Sequence, residues 1–132
     1  MTSDAAPPRA MRIGEIAQRT DLSLRTLRHY DEVGLLRPSG RSEGGFRLYT
    51  EHDLDELLVI RRMKPLGFTL EEMVEVMRSI RTAGPDDADA VPARHRLGEV
   101  LAAAQERRGR LARQLAMADE FIEMLRTRLP SG

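Results

Sequence analysis

Apolar positions follow two regimes along the chain. From Ala93 onward, Leu97, Leu101, Ala104, Arg108, Leu111, Leu115, Ala118, Ile122, Leu125 and Leu129 are spaced alternately four and three apart. Nine of these ten positions are apolar, the heptad pattern of a coiled coil, and Arg108 alone interrupts it. A polar seam residue fixes register or strand direction at a cost in stability. A helix over 93–129 would be about 55 Å long at roughly 1.5 Å per residue. One helix cannot bury its own stripe, so the pattern needs a partner, and a second copy of the chain is the simplest.

Upstream the apolar runs are short and closed by caps. Ser23 suits an N-cap, and Leu24 and Leu27 then fall on one face while Arg25, Arg28 and His29 point elsewhere. Gly34 suits the left-handed position just past a helix, so a helix is expected from Ser23 to Val33. A shorter one is expected over Ile13 to Arg19, ending at the break Thr20-Asp21-Leu22. Two short helices so joined make a helix-turn-helix, whose second helix can enter the DNA major groove.

Met11-Arg12-Ile13 predicts a short strand before that motif. After it, Pro38, Gly40 and Gly44-Gly45 mark turns, while Phe46, Leu48 and Tyr49 favour strand. A β-hairpin wing is expected there, with arginines beside the glycine turn to reach phosphates. Thr50 and Asp53 open a third helix with Leu54, Leu57 and Leu58 on its buried face, closed by Arg61, Arg62 and Lys64 before Pro65 and Gly67. Thr69 and Glu72 form a capping box ahead of Leu70, Met73, Met77 and Ile80 at helical spacing. The methionines read as core filling. The expected organisation is a disordered tail over 1–10, a winged-helix domain over 11–80, a linker over 81–92, the coiled-coil helix over 93–129, and a tail over 130–132.

Charge adds little in bulk, because 21 basic and 21 acidic residues cancel. Its distribution says more: residues 11–50 hold seven Arg against five acids, and 94–132 hold eight against five, while 81–93 carry one Arg and three Asp. The absence of cysteine excludes disulfides, thiolate metal sites and thiol redox sensing. No signal peptide or membrane-length apolar run is present, so a cytoplasmic, membrane-free protein is expected. His29, His52 and His95 lie in separate segments without nucleophile–base or ligand spacing, which argues against an enzyme, a metal or a cofactor. Asp86, Asp87 and Asp89 lack the glycine and terminal Glu of a calcium loop and read as a solvated linker.

The segments Ile13-Gly14-Glu15-Ile16-Ala17, Arg25-Thr26-Leu27-Arg28-His29-Tyr30-Asp31, Gly34-Leu35-Leu36, Arg47-Leu48-Tyr49 and Leu66-Gly67-Phe68-Thr69-Leu70-Glu71-Glu72 resemble the MerR family of bacterial transcriptional regulators. The resemblance implies a mainly α protein: a winged-helix head, and a homodimer held by an antiparallel coiled coil. Each head would read half of a palindromic promoter site. Family members bend and untwist an overlong promoter spacer so that RNA polymerase engages both elements.

Carried over by position, the implied DNA-binding residues are Arg25, Thr26, Arg28, His29, Tyr30, Arg47, Tyr49, Arg61 and Lys64. Arg25 and Arg28 would read guanine or hold phosphate. His29 and Tyr30 fall where two aromatics commonly pack on the backbone, and His29 departs from the commoner Tyr. Arg47 matches a wing arginine, Tyr49 its anchor, and Arg61 and Lys64 basic positions that approach phosphates. The cysteines of the family's metal and redox sensors are missing, and Gly132 comes three residues after the last seam position, so no recognised effector site follows. A space between the 81–92 linker and the coiled coil is the remaining place for an effector. The competing readings are an architectural DNA binder that forms cooperative arrays, a repressor without a small-molecule effector, and an adaptor whose coiled coil serves another protein.

Overall fold

The computed structural model describes residues 10–84 and 88–130. In chain order the elements are β1 (Met11–Arg12), α1 (Ile13–Thr20), α2 (Leu24–Glu32), β2 (Gly40–Arg41), β3 (Arg47–Tyr49), α3 (Glu51–Met63), a single 3-10 turn (Lys64–Leu66), α4 (Leu70–Thr82) and α5 (Ala90–Arg128). The strands form one antiparallel sheet in the order β1-β3-β2, with Met11 opposite Tyr49 and Gly40 opposite Leu48. The expected hairpin wing is therefore present, and β1 extends it by a strand. Ile13 belongs to α1 rather than to β1, and Phe46 lies in the hairpin turn, 60% exposed.

Local capping sets the helix starts. The Ser23 side chain accepts from the Thr26 amide at 3.0 Å, and both Thr50–Asp53 and Thr69–Glu72 form complete capping boxes. Gly34 takes φ +76, the left-handed geometry that closes α2. Asp53 does more than cap: its carboxylate also accepts from the Ser39 amide (3.2 Å) and the Ser39 hydroxyl (2.6 Å), which pins the chain entering the wing to α3.

The core gathers Met11, Ile16, Leu27, Tyr30, Leu35, Leu36, Tyr49, Leu57, Ile60, Met63, Phe68, Met73, Val76 and Met77. Three expected core positions move. Leu24, in the first turn of α2, is 40% exposed, and the buried pair is Leu27 with Tyr30. Leu58 is only half-buried, with Ile60 and Met63 filling the inner face of α3. Ile80 is exposed because α4 packs on α5 as well as α3, which turns Val76 and Ser79 inward. The buried Ser79 hydroxyl receives Arg96 Nε at 3.1 Å.

The linker is shorter than expected: α4 runs to Thr82 and α5 starts at Ala90, not after residue 92. Pro92 is the third residue of α5, where a backbone amide has no helical partner to lose. Ala10 apart, the expected N-terminal tail lies outside the described residues, as do Asp86 and Asp87. The first half of α5 belongs to the head, with Ala90 and Ala93 buried and Leu97, Val100 and Ala104 packed against the core. Arg107 lies 4.2 Å over the Phe68 ring and reaches Glu72 Oε2 at 3.2 Å. Every residue from Leu111 to Leu129 is exposed.

Two outcomes follow for stability. Asp53→Ala should cost about 2 kcal/mol, read by urea unfolding, because a cap and the Ser39 contacts are lost together. The Glu72 carboxyl lies below its usual range, first through the Thr69 amide and then through Arg107. Its contribution is complete above the ordinary carboxylate pKa and lost as pH falls through the lowered one. Glu72→Gln should flatten that part of the acid limb in a stability–pH profile.

Candidate nucleic-acid interface

With Leu27 and Tyr30 turned inward, the opposite face of α2 carries Arg25, Arg28, His29 and Glu32, which border one open groove. A second groove runs from α2 to the α3–α4 connection, where Arg25, Thr26, His29 and Tyr30 face Lys64, Phe68, Leu70 and Met73. A third cleft lies between the wing and the start of α1, lined by Arg12, Ile13, Gly14, Arg28, Gly45, Phe46 and Arg47. Arg28 borders both the open face of α2 and this cleft.

That cleft includes a residue the sequence reading passed over. Arg12 is the N-cap of α1 and makes no side-chain cap hydrogen bond, and the first turn of α1 also carries Glu15. Its guanidinium lies 5.1 Å from the centre of the Phe46 ring, near the wing turn. Arg12, Arg28 and Arg47 thus surround a helix N-terminus, the composition of a phosphate site. The one local signal was the lack of a Ser, Thr, Asp or Asn before Ile13.

The wing is braced to α2 by Asp31. One carboxylate oxygen accepts from Arg47 Nε at 2.9 Å and Arg41 Nη2 at 3.4 Å, while Arg41 Nη1 donates to the Gly45 carbonyl at 3.1 Å. The hydrogen bond to Asp31 raises the Arg47 pKa further above its ordinary value. Arg47 therefore sits at the cleft with one edge committed to Asp31.

The nine implied DNA residues separate in space. Arg25, Arg28, His29 and Lys64 are exposed and border the two grooves beside α2, with Thr26 half-buried at the rim and engaged by Ser23 at 2.8 Å. Tyr30 is 5% exposed and belongs to the core, although it also lines the second groove, and burial raises its hydroxyl pKa. Tyr49 is 1% exposed, and burial likewise raises its pKa. Its place is under the wing as an anchor. Arg61 donates to the Thr20 carbonyl at 3.0 Å, closing the C-terminus of α1.

A fourth groove, about 550 Å³, lies between α4 and α5 and is bordered by Phe68, Val76, Val100 and four carboxylates, Glu71, Glu72, Glu75 and Glu99. Among the described residues no group of three or more His, Asp or Glu could hold a metal ion, and no helix is long and apolar enough to cross a membrane.

Known proteins share this sequence and arrangement. The chain is 40% identical over 87 residues to an HTH-type transcriptional regulator of Pseudomonas aeruginosa, covering 64% of this chain and 66% of that one. It is 37% identical over 113 residues to the transcriptional activator TipA of Streptomyces coelicolor, covering 84% of this chain and 40% of TipA. The chain thus spans between 40% and 66% of the length of these curated relatives. Among solved structures, the N-terminus of the Bacillus subtilis multidrug transporter activator, MtaN, superposes with a TM-score of 0.56 at 30% identity, covering 92% of this chain and 99% of that one. A MerR family regulator lacking the sensor domain, HiNmlR, solved bound to promoter DNA, shares the fold with a TM-score of 0.62 at 24% identity over 91% of this chain and 87% of its own. Residues 11–80, more than half of the chain, match the MerR HTH family of regulatory proteins, and the chain belongs to that family.

Proposed function

We propose that the chain is a homodimeric, sequence-specific transcriptional regulator that binds a palindromic promoter site and acts by distorting the promoter spacer. The observation that carries this reading is the capped helix α2, with Arg25, Arg28 and His29 on its free face and arginine-lined clefts on both flanks. A helix so equipped fits the major groove, while flanking arginines and a helix N-terminus hold the phosphates on either side. Two relatives add support, since TipA is a transcriptional activator and HiNmlR was solved on promoter DNA.

Distortion rather than contact alone suits the geometry. Asp31 ties the wing to α2 through Arg41 and Arg47, so two heads on a fixed dimer would impose their own spacing on the duplex. RNA polymerase is then the partner that profits from the altered spacer. Binding in cooperative arrays is less well suited, because the exposed stripe on α5 calls for a closed pair.

Arg28→Ala should weaken operator binding by about 1–3 kcal/mol and relax specificity if Arg28 reads a base. If it holds phosphate, titration should show a similar loss on operator and random DNA, with a salt slope shallower by about one. Lys64→Ala should reduce DNA affinity with unchanged stability. Arg61→Ala should instead lower stability by about 1 kcal/mol through the lost Thr20 contact, measured by thermal unfolding. Leu115→Asp should yield monomers in sedimentation and abolish operator binding; a stable dimer from this variant would refute the seam.

A further inference from the structure

Asp31 is an acid where two physical rules disfavour one. It lies in the last turn of α2, at the negative end of the helix dipole. It also belongs to the helix whose free face carries Arg25, Arg28 and His29. We propose that Asp31 is a positioning residue that sets the specificity of the DNA interface: by holding Arg41 and Arg47 it weakens the hold on random DNA and fixes the wing for the operator. This rests on the DNA-binding role proposed above and adds a residue that acts on DNA through two others.

The wing supplies the reason for the acid. Arg41 and Arg47 stand opposite each other across β2 and β3. Like charges so placed repel, and β2 has only two residues with which to hold the hairpin. Asp31 Oδ2 lies 2.9 Å from Arg47 Nε and 3.4 Å from Arg41 Nη2, so a single carboxylate oxygen offsets both charges. The Asp31 side chain is only 14% exposed, which limits screening of the contact by salt. Arg41 Nη1 also donates to the Gly45 carbonyl at 3.1 Å, which carries the tie into the turn beside Phe46.

Two consequences follow for binding, and they act in opposite directions. Arg41, Arg47 and Asp31 together carry one positive charge instead of two. Random DNA is held by charge, through the counterions that each phosphate contact releases, so this subtraction weakens it directly. The operator loses the same attraction. It alone regains part of the loss, because a wing fixed against α2 before contact has less ordering left to undergo in the one register where base contacts form. Asp31 thus lowers affinity overall and raises the operator-to-random ratio.

The test titrates the full chain with its selected operator and with a random duplex of equal length, at salt from about 50 to about 200 mM. Asp31→Asn keeps the shape and removes the charge. Its affinity for random DNA should rise several-fold at low salt, the salt slope should steepen by about one, and the operator-to-random ratio should fall. Asp31→Glu keeps the charge and changes the reach, so the slope should match that of the unsubstituted chain while the ratio still falls. Thermal unfolding checks that each variant is folded. Equal losses on both DNAs with an unchanged slope in Asp31→Asn would make Asp31 a mere support of the fold and overturn the proposal. A steeper slope with an unchanged ratio would overturn it as well. Should Asp31→Asn not fold, Asp31→Glu decides, and an unchanged ratio there overturns the proposal. An unsubstituted chain with no preference for any operator would instead overturn the DNA-binding reading beneath it.

Discussion

A helix that carries leucines on a face with nothing against it cannot stand alone in water, and this constraint on α5 governs the rest of the molecule. Its first half is already spent on the head, where Ala90 and Ala93 are buried and Arg107 lies over Phe68. The outer half exposes several large apolar side chains at once. Burying each at roughly 25 cal/mol per Å² gives a strong drive toward a partner. Because the head and the stripe share one continuous helix, whatever covers the stripe also fixes where the head sits. For a DNA-binding head, that position is what a binding site measures.

Within the head, α2 is held from several sides. Ser23 starts it, Gly34 ends it, Leu27 and Tyr30 anchor it, and Asp31 ties it to the wing through Arg41 and Arg47. What remains free is its arginine face. Rigid presentation matters, since a base-reading side chain gains specificity only if its position is set before contact. The Asp31 brace also tempers the wing: it neutralises part of the arginine charge and leaves Arg12 beside Arg28 at the start of α1.

The elements were legible in the sequence wherever the deciding interaction is local. N-caps at Ser23, Thr50 and Thr69 act over three residues, and each lies where the pattern puts it. The linker was drawn too long because residues 90–92 carry no periodic pattern, although the first turn of a helix tolerates Pro92. Leu24 and Ile80 misled because the buried side of a helix depends on what packs beside it. The site was legible in its arginines and less so in their roles. Asp31 and Arg47 are sixteen residues apart, and Arg61 and Thr20 forty-one, so their contacts left no periodic trace. Tyr30 reads as a backbone contact beside arginines, yet the fold buries it in the core, whereas Tyr49, read as the anchor of the wing, is buried beneath it.

The most direct measurement is selection of genomic fragments by the purified protein, followed by footprinting on the best site. The proposed dimer predicts a palindrome with two protected half-sites on one face of the duplex, lying within a promoter spacer that becomes hypersensitive at its centre. Tandem sites without a two-fold axis, protected in a growing array, would contradict both the closed dimer and the distortion it imposes.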